Sequence, residues 1–503
     1  MNYIKNIFLN LFKFLDHPHH SENGPVDFSH KGDFLFLPEI HSVKKHIYLE
    51  TVSFVIVFIL LSFVSLEILK YVSGWSIIVF LSSFFVLVYF ILIVFKLWVV
   101  SQALTFPLVD FTKEEIKAIK DKELPVYTIL IPLYREEKVI KQIMKAMTAI
   151  DYPPKKLDII ITLEEYDHPT INAIKKVGLP SHFKTLILPD VQPKTKPKAL
   201  NVAFLKTKGK FLVIYDAEII PEPDQLKKAY LAFKKFPKIG CFQTRLDHYN
   251  AHQNAITKLF NAEFSFYYDL FLPGLQKLGY PIPLSGHSVH FRREVIDQVG
   301  AWDPYNVAED CDVGIRIHRM GYQTGIINST SLEEATSDFK GWIMQRTRWM
   351  KGFIQTSIVH LRHPFRFKNE VGGWKNFFAF IVTVPGSVVI NILNLFYWIM
   401  LILWLTTHSV IIQKLFPGFI LYISFISFVV GNILFTYFNL LGSYRRKQFS
   451  LVKYSLLSPF YWILLAIATT RSTIQIITKP YHWEKTKHGT HLKEGTHFVI
   501  TKA

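Results

Sequence analysis

The sequence predicts an α/β domain built on a doubly wound sheet and set between helices apolar enough to span a membrane. Long apolar runs flank a polar middle, at about Thr51–Leu69 and Ser76–Val100 before it and Phe377–Leu405, Phe416–Leu441 and Tyr454–Ile477 after it. A spanning helix needs about 20 mostly apolar residues. Within the middle, residues 107–369, short runs rich in Ile, Leu, Val and Phe alternate with polar helical stretches. One of these runs ends in two carboxylates.

Each element has its own signal. Val126–Ile131, Leu157–Leu163, Lys184–Leu188 and Phe211–Tyr215 read as buried parallel strands. Between the first two, Glu136–Ile150 places Val139, Ile143, Ala146 and Met147 at helical spacing. Strand–helix alternation implies right-handed βαβ units, and ligands on such sheets bind beyond the carboxyl ends of the strands. The chain then divides into an N-terminal segment (1–48), an apolar hairpin (49–102), the α/β domain (107–369), C-terminal spanning or interfacial helices (370–478) and a tail (479–503). No internal repeat or low-complexity tract interrupts this plan.

Half of the 503 residues are hydrophobic and 15% are aromatic, yet 19% remain charged, which leaves room for one sizeable polar domain. Lys and Arg number 57 against 39 Asp and Glu. Such an excess suits nucleic acid, anionic lipid or phosphate-bearing small molecules, and membrane proteins gather Lys and Arg on their cytoplasmic side. No nucleic-acid module is present, so a nucleic-acid partner is not expected. The two cysteines, Cys241 and Cys311, lie far apart and suit a reducing compartment. Met1–Asp16 is apolar and basic, but His17 and Pro18 stand where a small-residue cleavage site would lie, so no cleavable leader is expected. His17, His19 and His20 read as solvated rather than metal-bound, and Phe264–Tyr268 as core or lipid-facing.

The basic loop Tyr444–Lys447 belongs in the cytoplasm. With the first hairpin returning the chain to its starting side, the amino terminus and the α/β domain share that compartment. Three further spans would strand the Lys-rich tail outside; the preferred arrangement lays one apolar block, near Pro385 or Arg471, in the interface.

Three clusters carry chemistry. Asp216-Ala217-Glu218 closes the strand Phe211–Tyr215, and a pair of hard oxygen ligands there suits Mg²⁺ or Mn²⁺ shared with a diphosphate. In isolation the pair is better read as an acidic strand-to-loop turn; the strand before it and the clusters that follow reverse that preference. Glu309-Asp310 opens a helix and could cap it, or could supply a general base. Gln345-Arg346-Thr347-Arg348-Trp349 offers cations for phosphate oxygens and an indole face for a sugar, or a basic helix for anionic lipid.

In this order the clusters resemble the membrane-embedded family 2 glycosyltransferases, which include cellulose, chitin and hyaluronan synthases. The resemblance spans about Pro125 to Gly352. Ile129-Leu-Ile-Pro-Leu-Tyr134-Arg-Glu136-Glu137 is similar to the family's first strand and nucleotide-binding turn. The resemblance implies a GT-A fold (the nucleotide-diphospho-sugar transferase type) and a transfer that inverts the anomeric carbon of a UDP-linked hexose or N-acetylhexosamine. It implies donor contacts from Glu164, Glu165, Asp167, Lys196, Asp216, Gln345, Arg346, Arg348 and Trp349. It places the metal on Asp216 and Glu218, the acceptor near Ser285, Gly286, His287 and Trp349, and the base at Glu309-Asp310, with Asp310 taking the proton. Glu164, Glu165 and Glu218 stand where Asp is usual, and Ala308 where Thr is usual. These departures, with Trp483-Glu-Lys-Thr486-Lys-His-Gly489 near the end, resemble a bacterial subgroup.

The expected activity is polysaccharide synthesis at the inner face of the cell membrane, with membrane lipid around the helices. A homodimer or a secretion partner would complete a channel that so few spans cannot form alone. The alternatives are single-sugar transfer to a lipid or other acceptor, and a non-catalytic nucleotide-sugar-binding regulator.

Overall fold

The computed structural model describes residues 35–38, 41–44 and 74–486. The expected span Thr51–Leu69, the His17–His20 cluster and the tail beyond Thr486 lie outside them. In chain order the elements that position the site are α1 (Gly74–Ala103), β1 (Tyr127–Leu133), α2 (Ile140–Thr148), β2 (Leu157–Glu164), β3 (Phe183–Leu188), α3 (Lys196–Phe204), β4 (Phe211–Ile214), β5 (Ile220–Pro221), β6 (Ile239–His248), α4 (Ala255–Phe266), β7 (Val289–Arg292), α5 (Glu309–Arg319), β8 (Gln323–Glu333), α6 (Phe339–Leu361), α7 (Pro385–Thr407), α8 (Gly431–Arg445) and α9 (Ser458–Thr478).

The eight strands form one sheet in the order β3-β2-β1-β4-β7-β6-β8-β5. The four expected strands make its parallel half. Alternation along them explains why helices cover both faces. Ile129, Ile131, Ile159, Ile161 and Val213 point to the core side that holds Ile143 and Met147 of α2. Leu130, Ile160, Leu212 and Ile214 point to the other, with Leu200 and Phe204 of α3. Helix α2 is shorter than the expected Glu136–Ile150.

The second half of the sheet departs from the parallel plan. Strand β7 runs antiparallel to both β4 and β6, while β8 runs parallel to β6. No sustained apolar run marks these strands, because Gln243, Thr244, Ser329 and Ser331 are buried in them and hydrogen-bonded there. The reversal of β7 places the segment before it at the carboxyl end of β4, where the Ser288 N–H donates to the Ile214 carbonyl at 2.8 Å.

Among the described residues four helical stretches are long and apolar enough to cross a membrane: Gly74–Ala103, Pro385–Thr407, Phe419–Arg445 and Phe449–Thr478. The expected block Phe377–Leu405 is split before Pro385, whose ring disfavours helical backbone at Val384. Helix α9 lies along α6 of the α/β domain and meets it near both ends. Trp342 Nε1 donates to the Tyr461 hydroxyl at 3.2 Å, and Lys351 Nζ to Gln475 Oε1 at 3.3 Å. Phe264 and Tyr268 are buried in the core, as expected of an aromatic cluster.

Helices α5 and α6 are clamped together. Asp312 accepts from Arg316 at 2.7 Å and pairs with His360 on α6 at 3.0 Å. Gly352 faces Ala308 so closely that a Cβ on it would stand 2.7 Å from the Ala308 nitrogen. Gly352→Ala is therefore expected to destabilise the protein by about 1–3 kcal/mol through overpacking. The check is a lowered thermal midpoint of the detergent-purified variant; an unchanged midpoint contradicts the packing.

Candidate active site

Strand β4 is four apolar residues buried on both faces, so the chain leaves the sheet into Asp216-Ala217-Glu218 at its carboxyl edge. Lys196, the first residue of α3, reaches across to Asp216 Oδ1 at 2.6 Å and to the Gly286 carbonyl at 2.8 Å. Burial alone would lower the Lys196 pKa, but the Asp216 carboxylate raises it. Lys198 is spent elsewhere, in a pair with Glu164 at 3.1 Å. Lys196 thus faces the site.

Glu309 and Asp310 open α5 behind Ala308, which has no side chain to cap with. Asp310 Oδ1 accepts the Cys311 N–H at 2.8 Å. Its Oδ2 faces Gly286, where an added Cβ would stand 3.1 Å from that oxygen and 3.5 Å from Lys196 Nζ. The glycine leaves a gap between base and lysine. Burial and the neighbouring Asp310 push Glu309 up to about 7, against the pull of Lys196 and Arg348. Asp310 is raised as well, by burial. A carboxylate held this way is suited to accept a proton near neutral pH.

Helix α6 supplies Arg348, which donates to the Val307 carbonyl at 3.3 Å and lies 4.7 Å from the Trp483 ring centroid. Burial lowers its pKa while Glu309 and Asp310 oppose that. Its Nε has no partner among the described residues. Arg346 has a different occupation from the donor contact expected of it. It pairs with Glu263 at 3.0 Å, donates to Tyr461 at 2.9 Å, and lies between Phe260 and Trp349 at 4.3 and 4.4 Å. Gln345 accepts from Thr336 at 3.2 Å.

One cavity of about 340 Å³ gathers Lys196, Asp216, Glu218, Ser285, Gly286, His287, Glu309, Asp310, Gln345, Arg346, Arg348 and Trp349. Glu164, Glu165 and Asp167 do not line it. They sit at the end of β2, where Asp167 accepts the Arg135 N–H at 2.5 Å and Glu165 is exposed. The same cavity continues between the apolar helices, past Tyr89 and Lys96 of α1, Asn391 and Asn394 of α7, and Asn432 and Asn439 of α8.

Sequence reasoning missed Glu333, at the end of β8. It bonds His287 at 2.9 Å and His248 at 3.2 Å. Burial would lower His287, but Glu333 lifts it to about 9. The signal was available: Glu333-Glu334 closes a strand as Asp216-Ala217-Glu218 does. Burial and Asp216 push Glu218 up to about 8, so a cation beside the pair would relieve both effects. Among the described residues no three His, Cys, Asp or Glu side chains cluster tightly enough to hold a metal unaided. Two carboxylates fit a hard ion that completes its shell with phosphate oxygens and water.

The start of the tail returns to this site. Lys351 donates to the carbonyls of Lys479 at 3.2 Å and His482 at 2.7 Å, and Gln355 to that of Pro480 at 3.0 Å. Gln355 also accepts the Val307 N–H at 2.9 Å, two residues before Glu309. Glu484 is held by Arg471 at 2.7 Å and Gln475 at 3.0 Å. Trp483 and Thr486 line the cavity, and Lys485 reaches Glu136 at 2.7 Å, beside the turn after β1. Lys485→Ala is expected to weaken binding of a nucleoside diphosphate about five-fold, the worth of one partly exposed charged hydrogen bond. Titration calorimetry with UDP and GDP checks this, and unchanged affinity would detach the tail from the donor pocket.

Residues 125–352 match the family model described as "Glycosyltransferase like family 2". The chain is 28% identical over 300 residues to the "Probable glycosyltransferase YdaM" of Bacillus subtilis (strain 168), covering 56% of this chain and 71% of that protein. It is 21% identical over 321 residues to "Glucomannan 4-beta-mannosyltransferase 1" of Cyamopsis tetragonoloba, covering 57% of this chain and 60% of that protein. In fold it is similar to a structure titled "Mannosyltransferase PcManGT from Pyrobaculum calidifontis in complex with GDP-Man and Mn2+", with a TM-score of 0.51 at 14% identity over 80% of this chain and 99% of that one. Residues 125–352 thus resemble glycosyltransferase family 2 in sequence, and the chain shares a GT-A-like mixed sheet, flanked by helices of membrane-spanning character.

Proposed function

We propose that the chain is an inverting membrane glycosyltransferase that extends a polysaccharide from a nucleotide-sugar on the cytoplasmic face of the cell membrane. The observation that carries this reading is the continuity of one cavity, from Asp310 and Arg348 to the asparagines of α7 and α8. A site for single-sugar transfer needs no polar path between apolar helices; a growing glycan does. Because the tail meets the domain at Glu136 and Arg348, α9 is best taken as interfacial, which keeps tail and domain on one side.

In the proposed reaction the acceptor hydroxyl lies against Asp310. Its proton passes to that carboxylate as its oxygen bonds to the anomeric carbon. The bond from that carbon to the diphosphate oxygen breaks on the opposite face, and the electron pair leaves with the nucleoside diphosphate. Lys196 and Arg348 stabilise the charge that develops there. Asp216 and Glu218 would hold Mg²⁺ or Mn²⁺, whose charge would offset that of the diphosphate. UDP-linked hexoses follow from the sequence resemblance; the mannosyltransferase relatives make GDP-mannose the next donor to try.

Purified protein given labelled UDP- and GDP-sugars is expected to yield chains resolved by size. A single-sugar adduct would leave the chemistry and remove the polymer reading; no turnover with any donor would remove both. Asp310→Asn is expected to lose about 10²–10⁴-fold in kcat, the usual worth of a general base.

The pH dependence has a definite sign. The base works ionised, and burial raises both carboxyls, Glu309 to about 7, so activity should fall as the medium becomes acid through that region. Glu309→Gln removes the neighbouring negative charge. The acid limb of kcat/KM should then move to lower pH, and a limb that stays in place rules out the coupling. Asp216→Asn and Glu218→Gln should each raise the Mn²⁺ concentration needed for half-maximal rate, read by metal titration.

A further inference from the structure

Lys96 stands seven residues before the end of α1, inside a helix that is otherwise apolar. Tyr89, Ile93 and Lys96 recur at i, i+4 and i+7 and all line the cavity, whereas Leu87, Ile91, Val94 and Trp98 on the other face are exposed. The lysine is therefore turned inward, away from the lipid-facing side that a snorkelling lysine would follow. Its contact in this position is the Phe435 ring, 5.9 Å away, and no ion pair reaches it among the described residues. Three of the cavity's carboxylates have cations of their own: Asp216 pairs with Lys196, Glu263 with Arg346 and Glu333 with His287. An ammonium held between apolar helices needs a counter-charge, and among the described residues no carboxylate pairs with it.

The groups around it suit a polyhydroxyl occupant. Asn394 Oδ1 accepts from Tyr89 at 3.1 Å, Asn391 Nδ2 donates to Thr469 at 3.2 Å and Asn439 Nδ2 to Ser458 at 2.9 Å. Asn432 donates its amide to the Phe428 carbonyl at 2.5 Å, which leaves its Oδ1 buried with no donor. That oxygen can take a sugar hydroxyl; a hydrocarbon chain would offer it nothing.

We propose that Lys96 is an anion-recognition residue for the acceptor, and that the glycan passing between α1, α7 and α8 carries carboxylate groups on some of its sugars. This rests on the reading of the cavity as the acceptor's path. The test uses the full chain in nanodiscs, with a neutral tetrasaccharide and a carboxylate-bearing tetrasaccharide of equal length as acceptors, over the same donor panel. The carboxylated acceptor is expected to have a KM about ten-fold lower than the neutral one, the effect of one favourable charge contact. Lys96→Met should bring the ratio of the two KM values to about one, and Lys96→Arg should preserve it. Should Lys96→Met fail to fold, competition on the wild-type chain decides: the carboxylated tetrasaccharide inhibits chain growth and the neutral one does not. Equal KM values, or a ratio that survives Lys96→Met, overturn the proposal while leaving glycosyl transfer intact. A preference for a polyprenyl phosphate over both sugars, lost in Lys96→Met, overturns the glycan carboxylate in favour of a lipid phosphate. Absence of transfer to any acceptor instead overturns the underlying reading of the cavity.

Discussion

The site is governed by the need to keep several carboxylates together away from bulk water. Asp216, Glu218, Glu309 and Asp310 share one buried cavity, where burial first and the neighbouring carboxylates second push Glu218 and Glu309 up to about 8 and 7. Lys196 and Arg348 are the cations turned towards them. A nucleoside diphosphate adds further negative charge to such a pocket, so donor and acidic cluster can coexist only if cationic charge is concentrated there. The surrounding architecture serves this requirement. The first turn of α3 delivers Lys196, Gly286 leaves space for it, and α6 brings Arg348 against the loop before α5.

That convergence depends on the one strand that breaks the parallel pattern. Had β7 run with β4, the Pro283–Ser288 segment would have been carried to the opposite edge of the sheet. Running against it, β7 begins where β4 ends, so Gly286 and His287 arrive beside Asp216. The parallel half was legible because its strands are continuous apolar runs, buried on both faces. The mixed half was not, because Gln243, Thr244, Ser329 and Ser331 are buried in it, satisfied by Gln225 and by backbone carbonyls, and erase the hydrophobic signature. The acidic ends of β4 and the opening of α5 were readable from local pattern. Glu333 was equally readable in kind, and only its partners, His248 and His287, depend on the fold.

The two arginines of Gln345–Trp349 teach a related point. Residues two apart on a helix point about 200° from one another, so Arg346 and Arg348 leave α6 in different directions although both reach the cavity. Arg346 takes the side toward α4 and α9, where Glu263 and Tyr461 engage it and the rings of Phe260 and Trp349 flank it. Its charge is consumed in joining helices, and the indole it rests on is held at the cavity wall. Arg348 instead donates to the Val307 carbonyl and lies against Trp483, beside Glu309 and Asp310. Helical geometry alone could have assigned these separate duties from the sequence.

The asparagines follow the same logic at membrane depth. An amide in an apolar helix is costly unless satisfied, and the amides of Asn391, Asn394, Asn432 and Asn439 sit on two helices whose other faces are apolar and exposed. Asn391, Asn394 and Asn439 bond to neighbouring helices, and all four asparagines line the cavity that opens onto Asp310. Polar residues that share one direction and line a single cavity with Asp310 fit the proposed passage of a glycan between the helices.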